Sequence, residues 1–264
     1  MEYKGRKVWI TGAASGIGKA LALEYSGLGA DVILSDRDVG KLKDVVSLCE
    51  DRGSEVRFAP FDLEKPDEIK KATAEVLKEI PKLDILICNG GISQRSLAQE
   101  TPMEIDRKIM EINFFGAVEL TKALLPALTA GGGGNIAVTS SMVGKLGFPL
   151  RTAYSASKHA IQGYFEALRA ELYDQHVKVT IVSPGRIQTS ISMNAIDKEG
   201  KKHGVLDQGQ KNGMPVDRCA RKIIRAIRKS KKELWVGRNE ILLIYIRLYL
   251  PWLFHTLARK IKPM

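Results

Sequence analysis

TGAASGIG, at residues 11–18, follows the short apolar run VWI (8–10) and precedes the helix-like stretch KALALEYSGLGA. Gly12 permits a tight turn, Gly16 lets the backbone approach a ligand, and Gly18 lets the helix pack close to the strand. A strand, a glycine turn and a helix in this order bring unpaired N–H groups and the positive end of the helix dipole to one point. The stretch therefore predicts a site for the diphosphate of a dinucleotide.

Apolar runs of strand length recur along the chain, with room for a helix between them. They are dense rather than alternating, which is typical of strands covered on both faces. The runs are VWI (8–10), VILS (32–35), VRFAPF (56–61), LDILIC (83–88), NIAVTS (135–140), VKVTIVS (177–183) and ELWV (233–236). We therefore predict an α/β fold with a doubly wound, Rossmann-like parallel sheet of about seven strands. This single domain would span 1–237, and an apolar, basic C-terminal extension would span 238–264.

The formal net charge of +11 lies almost wholly at one end of the chain. Residues 1–217 carry 28 basic and 28 acidic side chains, whereas residues 218–264 carry 13 and 2. The basic run at 218–232 interleaves Ile and Ala at helical spacing, which is typical of a solvated helix face. We therefore expect no nucleic-acid partner.

The cysteines and histidines indicate neither a metal site nor a disulfide framework. Three cysteines are scattered and odd in number, and the four histidines form no HExxH or comparable cluster. A cleavable signal does not fit before the first strand, which begins at about residue 8. We expect a cytoplasmic protein without a metal.

Asp36 follows the second predicted strand, 18 residues after Gly18. A carboxylate at that place can accept hydrogen bonds from both ribose hydroxyls of NAD and repels the 2′-phosphate of NADP. Arg37 acts in the opposite direction, because a guanidinium beside the ribose can bind that phosphate. Asp36 could instead cap the following helix. NAD is the favoured cofactor, and NADP stays open.

The stretch AYSASKHA places Tyr154 and Lys158 four residues apart on one predicted helix face. A free tyrosine has a pKa of about 10, and a fixed ammonium nearby is expected to lower that pKa. Tyr154 could then give a proton to a carbonyl oxygen or take one from an alcohol. An incidental Tyr–Lys pair on an amphipathic helix is the alternative.

TGxxxGxG at 11–18, a serine at 141 that closes a strand, and YxxxK at 154–158 together resemble the short-chain dehydrogenase/reductase family. The resemblance covers about residues 5–237. It implies that Ser141 polarises the substrate oxygen, that Tyr154 is the acid/base, and that Lys158 binds the nicotinamide ribose and tunes Tyr154. Asn113, in MEINFFG, matches the asparagine that holds a helix kink and a water on the proton path.

The resemblance also implies a set of cofactor contacts along the carboxyl edge of the sheet. They are Gly12, Ser15, Gly16, Ile17, Gly18, Asp36, Arg37, Asp62, Leu63, Asn89, Gly90, Tyr154, Lys158, Pro184, Gly185, Ile187 and Thr189. CNGG at 88–91 departs from the usual NNAG, with Cys88 in place of the first asparagine and Gly90 in place of the alanine. We expect these departures to change local packing rather than chemistry.

The reaction implied by the resemblance is hydride transfer between a nicotinamide cofactor and a carbonyl or secondary alcohol. GISQR, FPLRTAYSASKHA, VSPGRIQTSIS and GVLD resemble the branch of dehydrogenase/reductase members 7 and 7B. The long stretch 190–214 contains Ile and Met, which suits a lid over an apolar, lipid-, steroid- or retinoid-like substrate, although a surface excursion is the alternative. A catalytically silent dinucleotide-binding regulator is the alternative function. Family analogy implies a homo-oligomer, a dimer or a tetramer.

Residues 241–258 are almost wholly apolar, but Arg247 and Pro251 interrupt them. A spanning helix needs about 20 apolar residues, so the pattern predicts two short helices hinged near Pro251. Tyr249 and Trp252 could lie at the depth of lipid headgroups, with Arg259, Lys260, Lys262 and the run 218–232 facing anionic lipid. Packing of this segment on the protein body or on a second subunit is the alternative.

Overall fold

The computed structural model describes residues 3–260. Seven strands form one sheet, and every neighbouring pair is parallel. They are β1 (Lys7–Thr11), β2 (Asp31–Ser35), β3 (Val56–Phe58), β4 (Ile85–Cys88), β5 (Asn135–Thr139), β6 (Lys178–Pro184) and β7 (Glu233–Val236). All seven predicted strands are confirmed. The third is shorter than the run VRFAPF (56–61) predicts, because β3 ends at Phe58.

The strand order is β3-β2-β1-β4-β5-β6-β7, so the chain winds outward in both directions from β1. Thr11 pairs with Ser35 on one side of β1, and Ile10 pairs with Ile87 of β4 on the other. The crevice between the carboxyl ends of β1 and β4 is the point where the winding reverses, and open α/β sheets bind their ligands there. The predicted doubly wound fold is therefore confirmed.

Helices cover both faces of the sheet. One layer contains α1 (Gly16–Gly27), α2 (Val39–Glu50) and α8 (Val216–Arg228). The other contains α3 (Pro66–Glu79), α5 (Gly116–Thr129) and α6 (Thr152–Glu171). Two helices are shorter. The first, α4 (Met103–Met110), packs against α6, and the second, α7 (Gln208–Lys211), lies in the segment between β6 and α8. A single π turn, Glu111–Phe115, joins α4 to α5.

Alternate residues of β1 face the two cores. Val8 and Ile10 pack with the α1, α2 and α8 layer, and Trp9 packs with the α3, α5 and α6 layer. All three side chains are buried. Two-sided burial explains why the strands appear as dense apolar runs in the sequence rather than as alternating ones.

The chain after β7 forms the two short helices that the sequence predicts. They are α9 (Leu242–Tyr249) and α10 (Pro251–Lys260), hereafter the C-terminal helix pair, and Pro251 begins the second. Within residues 3–260, no helix is both long enough and apolar enough to cross a membrane. Lys262 lies outside the described residues.

Candidate active site

The glycine turn has the backbone conformation that its sequence predicts. Gly12 and Gly16 have φ values of +67° and +53°, in the left-handed region that favours glycine. A Cβ at Gly18 would overlap the Gly12 carbonyl oxygen and lie 2.8 Å from Asn89 Nδ2. Ser15 is the N-cap of α1, and its hydroxyl makes no capping bond. The turn therefore leaves the N-terminal N–H groups of α1 open toward the crevice, as a bound phosphate requires.

Polar groups at the ends of β1, β4 and β5 bind one another across the crevice. Thr11 Oγ1 accepts from the backbone N–H groups of Asn89 and Gly90, at 3.0 Å each. The Asn89 amide donates to the Thr11 carbonyl at 3.3 Å and accepts from Thr139 Oγ1 at 3.3 Å. Asn89 thus fixes the spacing of three strand ends around the site.

The two departures in CNGG have structural explanations. Cys88 is buried in the core beside α5, with its Sγ 3.6 Å from Thr121 Oγ1. A Cβ at Gly90 would lie 2.6 Å from Leu63 Cδ1, so the glycine makes room for that leucine at the crevice wall. Both departures act on packing, and neither removes a polar group from the crevice.

Asp36 stands at the end of β2, where it closes the far end of the crevice. Its Oδ2 accepts from the Ala14 N–H at 3.1 Å and its Oδ1 from the Asp38 N–H at 3.0 Å. Asp38, and not Asp36, caps α2, because the Asp38 side chain accepts from the Lys41 N–H. Helix capping therefore does not explain Asp36. Arg37 is exposed beside it.

Tyr154 and Lys158 lie in the first two turns of α6. Gln94, fully buried, holds the start of that helix: its Oε1 accepts from the N–H groups of Ala153 at 3.0 Å and Tyr154 at 3.3 Å. The Lys158 ammonium donates to the Thr139 carbonyl at 2.9 Å, and its Nζ is 5.9 Å from the centre of the Tyr154 ring. The start of α6, which Gln94 holds, and the end of β5, which provides the Thr139 carbonyl, together set the positions of Tyr154 and Lys158.

Burial governs the titration of both groups. It raises the pKa of Tyr154, and hydrogen bonding to Ser141 and the charges of Arg151 and Arg95 oppose that rise. It also lowers the pKa of Lys158 to about 8. The sequence predicts that Lys158 lowers the pKa of Tyr154, and this prediction is wrong: the pKa is raised, because desolvation of the phenol is the largest effect. A phenol with a raised pKa stays protonated at neutral pH and can act as a proton donor.

The two serines at the end of β5 have different partners. Ser140 is buried, donates to the Lys158 carbonyl at 2.9 Å and accepts from Gln162 Nε2 at 3.1 Å. Ser141 faces the crevice, where its hydroxyl donates to the Pro184 carbonyl at 3.4 Å and accepts from the Val143 N–H at 3.3 Å. Ser141 therefore is the hydroxyl that a substrate oxygen beside Tyr154 would meet.

Asn113 lies in the π turn, behind the crevice. Its Oδ1 accepts from the Ile92 N–H at 2.7 Å, and its Nδ2 donates to the Ile92 carbonyl at 2.9 Å and to Ser157 Oγ at 3.0 Å. The extra backbone residue of a π turn aims the amide at the loop after β4. A Cβ at Gly91 would lie 2.8 Å from Asn113 Oδ1 and 3.4 Å from Lys158 Nζ, so Asn113 is close to the lysine.

One cavity of about 530 Å³ joins these groups along the carboxyl edge of the sheet. Of the site residues proposed from the sequence, Gly18 and Asn113 support the wall, and the others line the cavity. These lining residues are Gly12, Ser15, Gly16, Ile17, Asp36, Arg37, Asp62, Leu63, Asn89, Gly90, Ser141, Tyr154, Lys158, Pro184, Gly185, Ile187 and Thr189.

Sequence reasoning missed four polar residues at the same edge. Gln94 caps α6, and Arg95, Arg151 and Asp207 form a buried ionic cluster that opens into the cavity. No periodicity singles them out, because they lie in loops. The available signal was the polar run SQRS (93–96), with the charged Arg95, in the loop that follows the buried strand β4.

The family model described as short chain dehydrogenase matches residues 6–200. The chain belongs to the short-chain dehydrogenase/reductase family. Dehydrogenase/reductase SDR family member 7B of Rattus norvegicus is 41% identical over 254 residues, which cover 94% of this chain and 78% of the relative. Member 7 of Homo sapiens is 35% identical over 278 residues, which cover 98% and 82%. The chain is thus a short-chain dehydrogenase/reductase enzyme, similar to members 7 and 7B.

Solved short-chain dehydrogenase structures have the same fold. A short-chain dehydrogenase from Streptomyces avermitilis matches with a TM-score of 0.84 and 29% identity over 98% of both chains. A Burkholderia phymatum enzyme of the family, solved in complex with NAD, matches with a TM-score of 0.85 over 96% of both chains, at 21% identity. An alcohol dehydrogenase from Thermococcus sibiricus, complexed with 5-hydroxy-NADP, matches at 0.76 and 25% identity over 89% of this chain and 97% of that one.

Proposed function

We propose that this short-chain dehydrogenase/reductase transfers a hydride between a nicotinamide dinucleotide and the carbonyl or secondary alcohol carbon of an apolar substrate. The observation that carries the proposal is the convergence of Ser141, Tyr154 and Lys158 on the cavity that also contains the glycine turn. A buried proton donor, a second hydroxyl and a fixed ammonium beside a phosphate-binding turn are the groups that carbonyl reduction needs.

The crevice fits a dinucleotide by two observations. A Cβ at Gly12 would lie 2.8 Å from Gly90 Cα, and one at Gly18 would overlap the Gly12 carbonyl oxygen, so the turn requires glycine at both positions. The turn leads into the N-terminus of α1, whose N–H groups suit the diphosphate. Asp36 offers carboxylate oxygens at the far end, where a ribose would lie. When bound, the nicotinamide accepts or supplies the hydride. Gly16, Asp36 and Thr189 would hold the dinucleotide, and Lys158 would donate to the ribose next to the nicotinamide.

Three side chains would handle the substrate oxygen and its proton. Ser141 donates a hydrogen bond to that oxygen and polarises the carbonyl. During reduction the Tyr154 phenol donates its proton to the oxygen and becomes a phenolate, and during oxidation the phenolate accepts the proton of the alcohol. Burial, which raises the pKa of Tyr154, favours the protonated form that reduction needs. Lys158, held by the Thr139 carbonyl at 2.9 Å, keeps a positive charge near the phenol. Asn113 would hold a water on the proton path.

The preferred cofactor in this proposal is NAD rather than NADP. Asp36 places a negative charge at the end of β2, and a 2′-phosphate there would be repelled. Asp36→Ala removes the repulsion and leaves Arg37 free to bind the phosphate, so the ratio of kcat/KM with NADH to that with NADPH should fall at least tenfold. A wild-type preference for NADPH would contradict this part of the proposal.

An apolar substrate is supported by the lining near Tyr154. Ile92, Met142 and Phe148 contribute to the cavity wall there, and Leu243 of α9 reaches the same cavity. The 190–214 segment covers this end: Ile196 exchanges backbone hydrogen bonds with Ser93 and Arg95. We propose that this segment is the substrate lid.

A spectrophotometric screen tests the function as a whole. The purified protein would be given steroid, retinoid and long-chain lipid ketones or alcohols with NAD(H) and NADP(H) side by side, and the reduced nicotinamide would be followed by absorbance. Turnover of at least one class is expected. Tight dinucleotide binding with no turnover in any class would instead favour the catalytically silent regulator.

A second proposal concerns the C-terminal helix pair, which we infer to lie on a membrane surface. Its inner face packs on the body, where Ile244 and Phe254 are buried against Met142 and Leu146. Its outer face exposes large apolar side chains, which are Leu242, Tyr245, Leu248, Tyr249, Leu250 and Trp252. Arg247 and Arg259 are exposed on the same two helices. An exposed apolar patch on helices that carry basic residues fits the headgroup region of anionic lipid. Docking there would bring the cavity, which Leu243 lines, close to lipid.

Liposome sedimentation tests the docking. Full-length protein should pellet with anionic vesicles in a salt-sensitive way, and the double variant Tyr249→Ser, Trp252→Ser should stay in the supernatant. Tyr173→Ser is the matched control, because Tyr173 is equally exposed but follows α6. Wild-type protein that stays in the supernatant would overturn the membrane proposal and favour a contact between subunits.

We also propose a homodimer or homotetramer, to be measured by light scattering. Support comes from α5 and the π turn before it, where Phe115 is 49% exposed next to Phe114 and Tyr164. A monomer at micromolar concentration would contradict it.

A further inference from the structure

The loop after β6, residues 185–189 and hereafter the β6 loop, forms one wall of the cavity. All of its residues except Gln188 line the cavity. Thr189, at its end, reaches the glycine turn, because a Cβ at Gly16 would lie 3.3 Å from Thr189 Cγ2. The position of the β6 loop therefore sets the width of the crevice where the diphosphate of a dinucleotide would lie.

Neighbouring segments hold the β6 loop through hydrogen bonds to its backbone. The Gly185 N–H donates to the Val236 carbonyl of β7 at 2.7 Å, and the Arg186 carbonyl accepts from the Met214 N–H at 2.8 Å. The Arg186 N–H instead donates to a side chain, the Glu240 carboxylate, at 2.8 Å from Oε1. The Arg186 amide thus depends on a charged acceptor from a distant part of the chain.

Two glycines make room for the Glu240 carboxylate. A Cβ at Gly185 would overlap Glu240 Oε1, and one at Gly237 would lie 2.8 Å from the same oxygen. Neither glycine has a positive φ, so the close approach of the carboxylate, rather than the backbone conformation, accounts for glycine at these two positions. The carboxylate is therefore seated against backbone on two sides, and a hydrogen bond to a charged acceptor is a strong one.

Glu240 also joins the β6 loop to the C-terminal helix pair. It lies in the single turn Asn239–Ile241, which leads directly into α9. One turn into that helix, Leu243 lines the cavity together with Glu240. The same helix holds the chain after β5, where Arg247 Nη1 donates to the Lys145 carbonyl at 2.6 Å. The segment that follows β7 is therefore bonded to the chain on two sides of the cavity.

We propose that Glu240 is a positioning residue, which holds the β6 loop at the dinucleotide crevice. The C-terminal helix pair is then part of the active site, because the turn that begins it supplies the acceptor for the loop. The inference rests on the proposed function, since it assigns the loop to the binding of a dinucleotide. Without the acceptor, the loop has more conformations to lose when the dinucleotide binds, and this weakens binding.

Fluorescence titration of the full-length protein with NADH and with NADPH tests the role of Glu240. Glu240→Ala removes the acceptor and should raise the Kd of the preferred dinucleotide about fivefold, which corresponds to the loss of one hydrogen bond. Glu240→Gln keeps an oxygen acceptor at the same place and should bind within about twofold of wild type. Asn239→Ala, at the exposed neighbouring position, is the control and should bind as wild type does.

Two results of the titration overturn the inference. One is a Kd of Glu240→Ala within about twofold of the Asn239→Ala control. The other is an equal loss of affinity in Glu240→Ala and Glu240→Gln, because the amide oxygen of glutamine could then not replace the carboxylate.

Amide hydrogen exchange, followed by NMR, measures the loop itself in the absence of a dinucleotide. The Arg186 amide should exchange about fivefold faster in Glu240→Ala than in Asn239→Ala, whereas the Leu86 amide of the buried strand β4 should not change. Unchanged exchange at Arg186, or equal acceleration at Leu86, overturns the inference whatever the dinucleotide does. Wild-type protein that binds neither NADH nor NADPH would count against the proposed function instead, and exchange at Arg186 would still decide whether Glu240 holds the loop.

Discussion

Replacing Asn113 by alanine should destabilise the protein strongly. The Asn113 side chain supports the cavity wall through its hydrogen bonds to the loop after β4. Its amide is 1% exposed and is the hydrogen-bond partner of both the N–H and the carbonyl of Ile92, and of Ser157 Oγ. Each buried polar group left without a partner costs about 1–3 kcal/mol. Loss of both Ile92 partners should therefore lower the free energy of unfolding by roughly 2–6 kcal/mol.

Thermal unfolding, followed by circular dichroism, measures this loss. For a protein of this size, roughly 2–4 °C of Tm is lost per kcal/mol, so a loss of about 3 kcal/mol corresponds to a fall of roughly 6–12 °C. Asn212→Ala, at an exposed position after α7, is the control and should unfold with the wild type. A Tm of Asn113→Ala within about 1 °C of that control would refute the assignment of the Asn113 amide to the Ile92 backbone.

Two further predictions concern the glycine turn and the thiols. Gly18→Ala should abolish dinucleotide binding in a fluorescence titration, because its methyl group would overlap the Gly12 carbonyl oxygen; binding as tight as wild type would contradict the turn geometry. Burial raises the pKa of Cys49 to about 11 and the pKa values of Cys88 and Cys219 to about 12, so the unfolded chain loses these protons first as pH rises above 9.0. The free energy of unfolding should then fall by about 1.4 kcal/mol per pH unit for each thiol. Lys158 acts in the opposite direction, because its pKa is lowered in the folded protein, and it raises the free energy of unfolding by about 1.4 kcal/mol per pH unit. Urea unfolding at pH 8 and pH 10 should show a drop that is smaller in Cys219→Ala by about one thiol's share; an unchanged drop would refute the assignment.

The sheet could be predicted from the sequence because each strand is buried on both faces and therefore appears as an uninterrupted apolar run. The short β3 shows the limit of this signal. Phe58 ends the strand, and the Ala59 N–H makes one more hydrogen bond to β2, to the Leu34 carbonyl at 3.0 Å. Phe61 is buried beyond that bond, so apolar character continues where the ladder stops. Burial can be seen in a sequence, and the end of a hydrogen-bonded ladder cannot.

The candidate site could be predicted where its chemistry sits at fixed spacing on one element, as for the glycine turn and for Tyr154 and Lys158. Contacts between distant loops could not. Gln94 reaches Ala153 and Arg95 reaches Asp207 only because the fold brings those loops together. The direction of the Tyr154 pKa was also missed, since the degree of burial of a phenol is a property of the folded chain.

Single-turnover kinetics of Tyr154→Phe, with a carbonyl substrate found in the screen, tests the central claim most directly. The substitution keeps the ring and removes the transferable proton, so the rate of the chemical step should fall at least 10²-fold. The dinucleotide Kd, measured on the same preparation by fluorescence, should stay within about threefold of wild type, since this corresponds to less than 1 kcal/mol. A rate near that of the wild type, with intact dinucleotide binding, would contradict the assignment of Tyr154 as the proton donor.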